Sequence, residues 1–359
     1  MSKRSDGIGG LRLPGDSASE VAASLDLLAV KGAPDLPGLT IRRPRRDDAE
    51  YAAIAALIGR ANDRDGVPWR PTMQHIRDEH EGFPAQLDPA HDVCLAEVDG
   101  RIVGEASVDR VVRDGVAVFH VGGFVDPEFR RRGLGRALLR QNMRRASERA
   151  ANEATDQPVE LGAFAEATET GHRALLEEAG FRVIRWFFLM RRDLTRPIPH
   201  VPLPDGVELR PLLPEHHRPV FDAEVEAFLD HWGARMKTDE DFAHTYRRKE
   251  FDPSLWVVAW AGNEIAGVVQ NWIWTEENAE LGVQRGWLEH ISVRRPFRRR
   301  GLGRAITAAS LQRLRQAGMS DAMLGVDSEN ANGALGLYES LGFVVHSRST
   351  AYRRDLDRA

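Results

Sequence analysis

The stretch FRRRGLGRA stands at Phe129–Ala137 and again, residue for residue, at Phe297–Ala305, 168 positions further on. An identity of that length marks a duplication, and the flanking sequence follows suit. LTIRRP (Leu39–Pro44) and VELRPL (Val207–Leu212) are short alternating openings of the kind that form strands. An Ala/Glu/Leu-patterned helical stretch follows each, at Asp48–Ala61 and Glu215–Leu229. Hairpins are expected at Val93–Val108 and Trp256–Trp274, with Asp99-Gly100 and Gly262-Asn263 as their turns. A strand then enters each copy of the nonapeptide (Ala117–Val125; Trp287–Val293) and a helix leaves it (Leu134–Glu153; Leu302–Ala317). Next come a short strand (Val159–Phe164; Ala322–Val326) and a second helix ending in Gly-Phe, EEAGF at Glu177–Phe181 and ESLGF at Glu339–Phe343. A final strand is expected to close each unit.

The chain thus reads as a tandem repeat of one α/β domain. The first spans 38–194, a linker with four prolines spans 195–206, and the second spans 207–359. Residues 1–37, rich in Gly, Pro, Ser and Asp around one possible helix at Ser17–Val30, read as a flexible extension. A length of 359 residues with 42% hydrophobic and 29% charged content suits two soluble domains with real cores. The net charge of −5 is shared by both halves, so neither has the basic excess of a nucleic-acid binder. The arginine runs at Arg42–Arg46 and Arg294–Arg300 lie in turns. One cysteine, Cys94, excludes an internal disulfide framework and a Cys-based zinc cluster, and suits the cytoplasm. No metal site is expected, and no apolar run reaches the roughly 18–20 residues of a membrane span.

Each nonapeptide supplies R-x-x-G-x-G between a strand and a helix: Arg130, Gly133, Gly135 and Arg298, Gly301, Gly303. A helix start exposes unpaired N–H groups with partial positive charge and suits a phosphate. The glycines permit close approach, and arginines add positive charge. The Lys-Ser/Thr pair of a nucleotide P-loop is absent.

Strand, [Q/R]-x-x-G-x-[G/A], helix, strand, and a helix ending L-Y-x-x-x-G-F together resemble the GCN5-related N-acetyltransferase (GNAT) superfamily, here as a tandem pair over Leu39–Asp193 and Val207–Arg354. The resemblance implies two mixed, splayed β-sheets flanked by helices, with acetyl-CoA held at each turn. The carried-over cofactor positions are Ile291, Val293, Arg298, Arg299, Arg300, Gly301, Leu302, Gly303 and Arg304 in the second half. In the first half they are Val125, Arg130, Arg131, Arg132, Gly133, Leu134, Gly135 and Arg136. Asn330 matches the family asparagine near the pantetheine, with Asn332 as a competitor for that place.

Family members transfer acetyl by direct attack of an amine on the thioester, which calls for a base, donors to the carbonyl oxygen, and an acid for the thiolate. Tyr338, four residues before Gly342, resembles the family's acid. Glu289, in GWLEHISV, shares strand parity with Trp287, Ile291 and Val293 and resembles the acceptor-facing carboxylate of small-amine acetyltransferases. His290 is expected on the opposite face, in a structural role. Asp230, His231 and Trp232 lie where the family builds acceptor pockets. Counting back from Val125 and Gly180 puts Val121 and Leu176 at the matching places of the first half, where neither can move a proton.

The expectation is therefore an acetyl-CoA-dependent N-acetyltransferase for the primary amine of a small molecule, with its chemistry in the second domain. An aminosugar, an aminoglycoside and a mycothiol-synthase-like amine are all open as acceptors. A CoA-binding sensor or scaffold without turnover is the alternative, and the assembly expected is a monomer (an internal pseudo-dimer) or a homodimer.

Overall fold

The computed structural model describes residues 26–82, 85–113, 115–152, 157–229, 232, 236–329 and 333–356. The first half opens with β1 (Leu39–Arg42), α1 (Asp48–Asp65), α2 (Met73–Glu81) and α3 (Pro89–Asp92). It continues with β2 (Val93–Val98), β3 (Arg101–Arg113) and β4 (Val116–Val125). The helix α4 (Leu134–Asn152), β5 (Val159–Glu166), α5 (Thr170–Glu178) and β6 (Arg182–Asp193) complete it. The second half repeats the order with β7 (Val207–Arg210), α6 (His217–Phe228), α7 (Asp239–Arg247), β8 (Val257–Ala261) and β9 (Glu264–Trp272). After α8 (Thr275–Leu281) come β10 (Arg285–Val293), α9 (Leu302–Gln316), β11 (Asp321–Asp327), α10 (Ala334–Ser340) and β12 (Val344–Asp355).

Local chemistry sets these boundaries. Asp47 accepts from the Glu50 N–H to start α1, and Gly66 ends it at φ 70°. Asp99 and Gly100 turn β2 into β3 with φ 49° and 80°, the left-handed pair a two-residue hairpin needs. The short helices α2 and α7 begin at capping boxes, Thr72 with His75 and Thr238 with Asp241.

All twelve described strands join one sheet, in the order β1-β2-β3-β4-β5-β12-β6-β11-β10-β9-β8-β7. The final strands do not close their own units, as the sequence suggested; they are exchanged. β6 pairs with β11 of the second half, from Asp193 opposite Asp321 to Phe187 opposite Asp327. β12 pairs with β5 of the first half, and β6 and β12 pair with each other at the centre. Packing and capping are exchanged with them. Met190 of β6 is buried in the second-half core, and Tyr352 of β12 in the first-half core beside Phe119 and Leu176. The Nε of Arg192 donates to the Leu341 carbonyl at 2.7 Å, ending α10, while Arg354 donates to the Ala179 carbonyl at 2.7 Å, ending α5. These carbonyls are the orphan acceptors of a helix C-terminus, satisfied here by the other half.

The N-terminal extension is not free throughout. Leu27 bridges Arg42, Leu28 donates to the Ile41 carbonyl at 2.7 Å, and Val30 is buried against Leu134, Ala137 and Leu138 of α4. Residues 26–30 are non-helical, and the rest of the helix expected at Ser17–Val30 lies outside the described residues. The linker also packs, with Ile198, Val201 and Leu203 against the second-half core.

Candidate active site

The two nonapeptides fold alike. Arg131 and Arg299 take φ 62° and 65°, Gly133 and Gly301 take φ 92° and 83°, and α4 and α9 start at the next residue, Leu134 and Leu302. In both, the first helical bond runs from the Ala N–H to the Gly carbonyl (Ala137 to Gly133, Ala305 to Gly301) at 3.1 Å. The N–H groups of Leu302, Gly303 and Arg304 therefore have no acceptor within their helix. A Cβ built on Gly301 would meet nothing within 4 Å, so the turn presents an open face to an anion. Arg299, Arg300 and Arg304 form no ion pair among the described residues. The first arginine of each turn does something else: Arg130 Nε donates to the Val125 carbonyl (3.0 Å) and Arg298 Nε to the Val293 carbonyl (2.9 Å), stapling the turn to its strand. Around Gly133 the space is less open, with Pro34 3.8 Å from its built Cβ, and Arg136 bound to Glu178 at 2.7 Å.

The strand before each turn splays from its parallel neighbour. β4 pairs with β5 only over Ala117–His120, and β10 with β11 only over Arg285–Trp287, although they run on to Val125 and Val293. Gly303 lies where the splay meets the second helix, its built Cβ 3.4 Å from Leu337 and 3.6 Å from Val293; Gly135 sits likewise at 3.6 Å from Leu175 and 3.7 Å from Val125.

Glu289 is the extra residue of a β-bulge. Pairing with β9 runs Trp287–Trp272 and Leu288–Asn271, skips Glu289, and resumes at His290–Gln270. Alternation resets there, which overturns the expected parity. Leu288, Ile291 and Val293 pack with the second-half core, while Trp287 packs with the aromatic cluster on the other face. No residue of the first half stands where Glu289 does. β4 pairs with β3 without a break from Val125–Gly104 to Val116–Arg113, so Val121, opposite Val108, matches Leu288 and not Glu289. His290 places Nδ1 2.8 Å from Oε1 of Glu224, a fully buried carboxylate on α6 that also binds Lys237 at 2.5 Å. Burial opposes ionisation of Glu224, but His290 and Lys237 outweigh it and hold its carboxyl below the usual range.

Tyr338 lies on α10, buried beside Phe343, and desolvation pushes its phenol up to about 12. It is neutral at pH 7 and able to donate. Leu176, its counterpart, is fully buried in the first-half core.

Between the halves lies a cavity of about 660 Å³. The second half contributes Trp274, Glu277, Trp287 and Glu289; the first half contributes Trp69 of the α1–α2 loop, Glu79 of α2, Glu105 and Asp109 of β3, and Phe124 of β4. Burial is the first cause that pushes the carboxyls of Glu79, Glu105 and Glu277 up to about 7, and Asp109, Glu79 and Glu289 respectively add like-charge repulsion.

Residues 218–343 match the acetyltransferase (GNAT) family and residues 89–183 an acetyltransferase (GNAT) domain. The mycothiol acetyltransferase of Salinispora arenicola (strain CNS-205) is 33% identical over 326 residues, covering 89% of this chain and 98% of its own. That of Salinispora tropica is 33% identical over 325 residues, with the same coverage of 89% and 98%. This chain belongs to the GNAT family. A solved GCN5-related N-acetyltransferase from Sphaerobacter thermophilus superposes with a TM-score of 0.72 at 26% identity, covering 90% of this chain and 97% of that one. A tandem GNAT protein from the clavulanic acid biosynthesis pathway shares the fold at TM-score 0.64 and 19% identity, covering 89% of this chain and 99% of its own.

As a tandem GNAT, the protein is an N-acetyltransferase and binds a CoA derivative. Of the expected GNAT acceptor residues, Asp230 and His231 lie outside the described residues, as do Asn330 and Asn332. Trp232 packs on Phe187 at 5.9 Å, with the guanidinium groups of Arg185 and Arg353 5.1 and 5.6 Å from its ring. The cavity carboxylates Glu79, Glu105 and Glu277 were not found in the sequence. Their strand and helix positions were legible for Glu105 alone, and nothing in a linear pattern brings the two halves' acidic residues together.

Proposed function

We propose that this protein transfers the acetyl group of acetyl-CoA to the amine of a small, cationic molecule, in the second half alone. The observation that carries this reading is the bulge that turns Glu289 out of β10 into the cavity, with Tyr338 buried in the core cluster against which Ile291 and Val293 of the same strand pack. On this reading residues 207–359 form the catalytic domain, 38–194 the non-catalytic one, and 195–206 the linker. The open turn from Arg298 to Arg304 holds the pyrophosphate through its unpaired N–H groups and the guanidinium groups of Arg299, Arg300 and Arg304. Glu289 takes a proton from the acceptor's ammonium, directly or through water. The freed amine nitrogen forms the new bond to the carbonyl carbon as the carbon–sulfur bond breaks, and the nitrogen's surplus proton passes to solvent, from which the Tyr338 phenolate is later restored. N–H groups released from the ladder at the bulge receive the carbonyl oxygen, and Tyr338 gives its proton to the departing sulfur. The first half keeps a CoA-binding turn but has neither bulge nor phenol. The two mycothiol acetyltransferase relatives make a mycothiol-precursor-like amine one acceptor to assay.

Two variants test the assignment. Tyr338→Phe is expected to lower kcat by about 10²–10⁴ while leaving acetyl-CoA affinity near that of the parent. Glu289→Gln should lose most kcat/KM below the acceptor's pKa, where the amine needs deprotonating. A Tyr338→Phe enzyme with parental kcat, or an unchanged pH–rate profile for Glu289→Gln, removes that residue from its role.

A further inference from the structure

The inter-half cavity carries two separate acidic poles. One belongs to the second half, Glu289 with Glu277, close enough for their charges to repel. The other belongs to the first half, Glu79 with Glu105 and Asp109, coupled in the same way. Glu79, Glu105, Glu277 and Glu289 form no ion pair among the described residues. Glu277 is 2% exposed with no donor to its Oε1, and Arg285 and the Trp287 indole are the groups near it that favour its ionised form. A buried carboxylate oxygen left without a donor, as at Glu277, is costly, and the cost is relieved by a ligand that brings cationic donors.

We propose that the acceptor carries two cationic nitrogens, the reacting amine at Glu289 and Glu277 and a second ammonium held by Glu105, Glu79 and Asp109 of the first half. The inference rests on the reading of Glu289 as the reacting pole. Trp69, Trp274 and Phe124 line the same cavity and suit the carbon skeleton joining the nitrogens. A volume of about 660 Å³ fits a hydroxylated ring or a small chain of such rings. Of the other groups near the two poles, Arg285 offsets part of the burial of Glu277, Ser107 donates to Glu105, and His120 Nδ1 lies 3.1 Å from Asp109 Oδ2. His75, His80 and His244 are held below their usual range, first by burial, and so are neutral at pH 7. Asp78 adds a further negative charge, and Arg248 lies over the Trp272 and Trp274 rings at 5.8 and 5.4 Å. With Glu79, Glu105 and Glu277 all near 7, a dication entering at neutral pH drives protons off them.

The test compares 2-deoxystreptamine, a hydroxylated ring with two amines, with glucosamine, a hydroxylated ring with one. Calorimetry on the full chain at pH 7, in two buffers of different ionisation enthalpy, gives affinity and proton release together. The diamine is expected to bind at least about tenfold tighter and to release protons, and Glu105→Gln to shrink that preference severalfold. Should Glu105→Gln fail to fold, Asp109→Asn at the more exposed edge of the same pole is expected to shrink it too. Equal affinities, no binding of either probe, or a preference untouched by both variants overturns the proposal. The acetyl-transfer assay separates the two readings. A diamine that binds with proton release but is never acetylated keeps the two poles and removes the acetyl-transfer role of Glu289. Equal kcat/KM for both probes, unchanged by Glu105→Gln, does the reverse.

Discussion

Glu277 shows what a residue can do that its sequence neighbours do not announce. In TEENAEL it reads as one more surface glutamate, yet α8 turns it inward beside Glu289. Its carboxyl is raised to about 7, so the folded protein holds that proton more tightly than the unfolded chain does. The stability it contributes is full below the unfolded value near 4.5 and is lost as pH climbs through about 7. Glu277→Gln removes the titration. The variant is expected to be more stable than the parent at pH 8, by on the order of 1–2 kcal/mol after solvent screening, and to show little gain at pH 5. Urea midpoints at the two pH values decide it; a difference independent of pH means that Glu277 is not held as argued. Tyr338, by contrast, was legible from the sequence, because a fixed count from the helix-ending Gly342 places it. Glu289 was legible as a residue but not as a direction. A bulge adds one position to one strand, and counting along that strand alone cannot reveal it; the same blindness set Val121 in the wrong place.

At the scale of the element, the duplicated turn is the most sequence-determined part of the molecule. Nine identical residues take the same left-handed positions twice, since Gly133 and Gly301 each need φ near 90° and start a helix at the next residue. That likeness makes a controlled experiment. Glutamate at either glycine carries similar backbone strain, about 1–2 kcal/mol, and similar negative charge against a phosphate. Gly301→Glu is expected to abolish acetyl transfer, and Gly133→Glu to leave kcat within a few-fold, while calorimetry with CoA counts the sites each variant retains. If folded Gly133→Glu loses all activity and Gly301→Glu keeps it, the chemistry belongs to the first half. The helices and strands around the turns were equally legible, because their periodicity and turn residues are local. The short helices α2, α7 and α8 were not, being set by single caps between stretches that read as loop.

Across the whole molecule, the exchange of β6 and β12 was invisible in the sequence for a physical reason. Each strand's pattern fixes which face is buried, but both halves offer the same kind of edge, and nothing in the pattern says which one it joins. The duplication that made the fold readable also made the partner ambiguous. The consequence is that the halves cannot be separated at the linker without loss. A fragment of residues 207–359 would lack β6, leaving β11 without its neighbour, the Met190 place in the core empty, and the Leu341 carbonyl without Arg192. Burying Met190 alone is worth about 1.5–3 kcal/mol, and the edges of β11 and β12 left unpaired invite aggregation. The fragment expressed alone is therefore expected to be insoluble or to associate through the open edges, despite holding Glu289 and Tyr338. Coexpressed with residues 1–206, it should return as a soluble, active complex, since every exchanged contact can form between two pieces. The second arm keeps the argument open to refutation: a monomeric, fully active 207–359 fragment, by light scattering and initial rates, would show that β6 and the first-half wall of the cavity are dispensable.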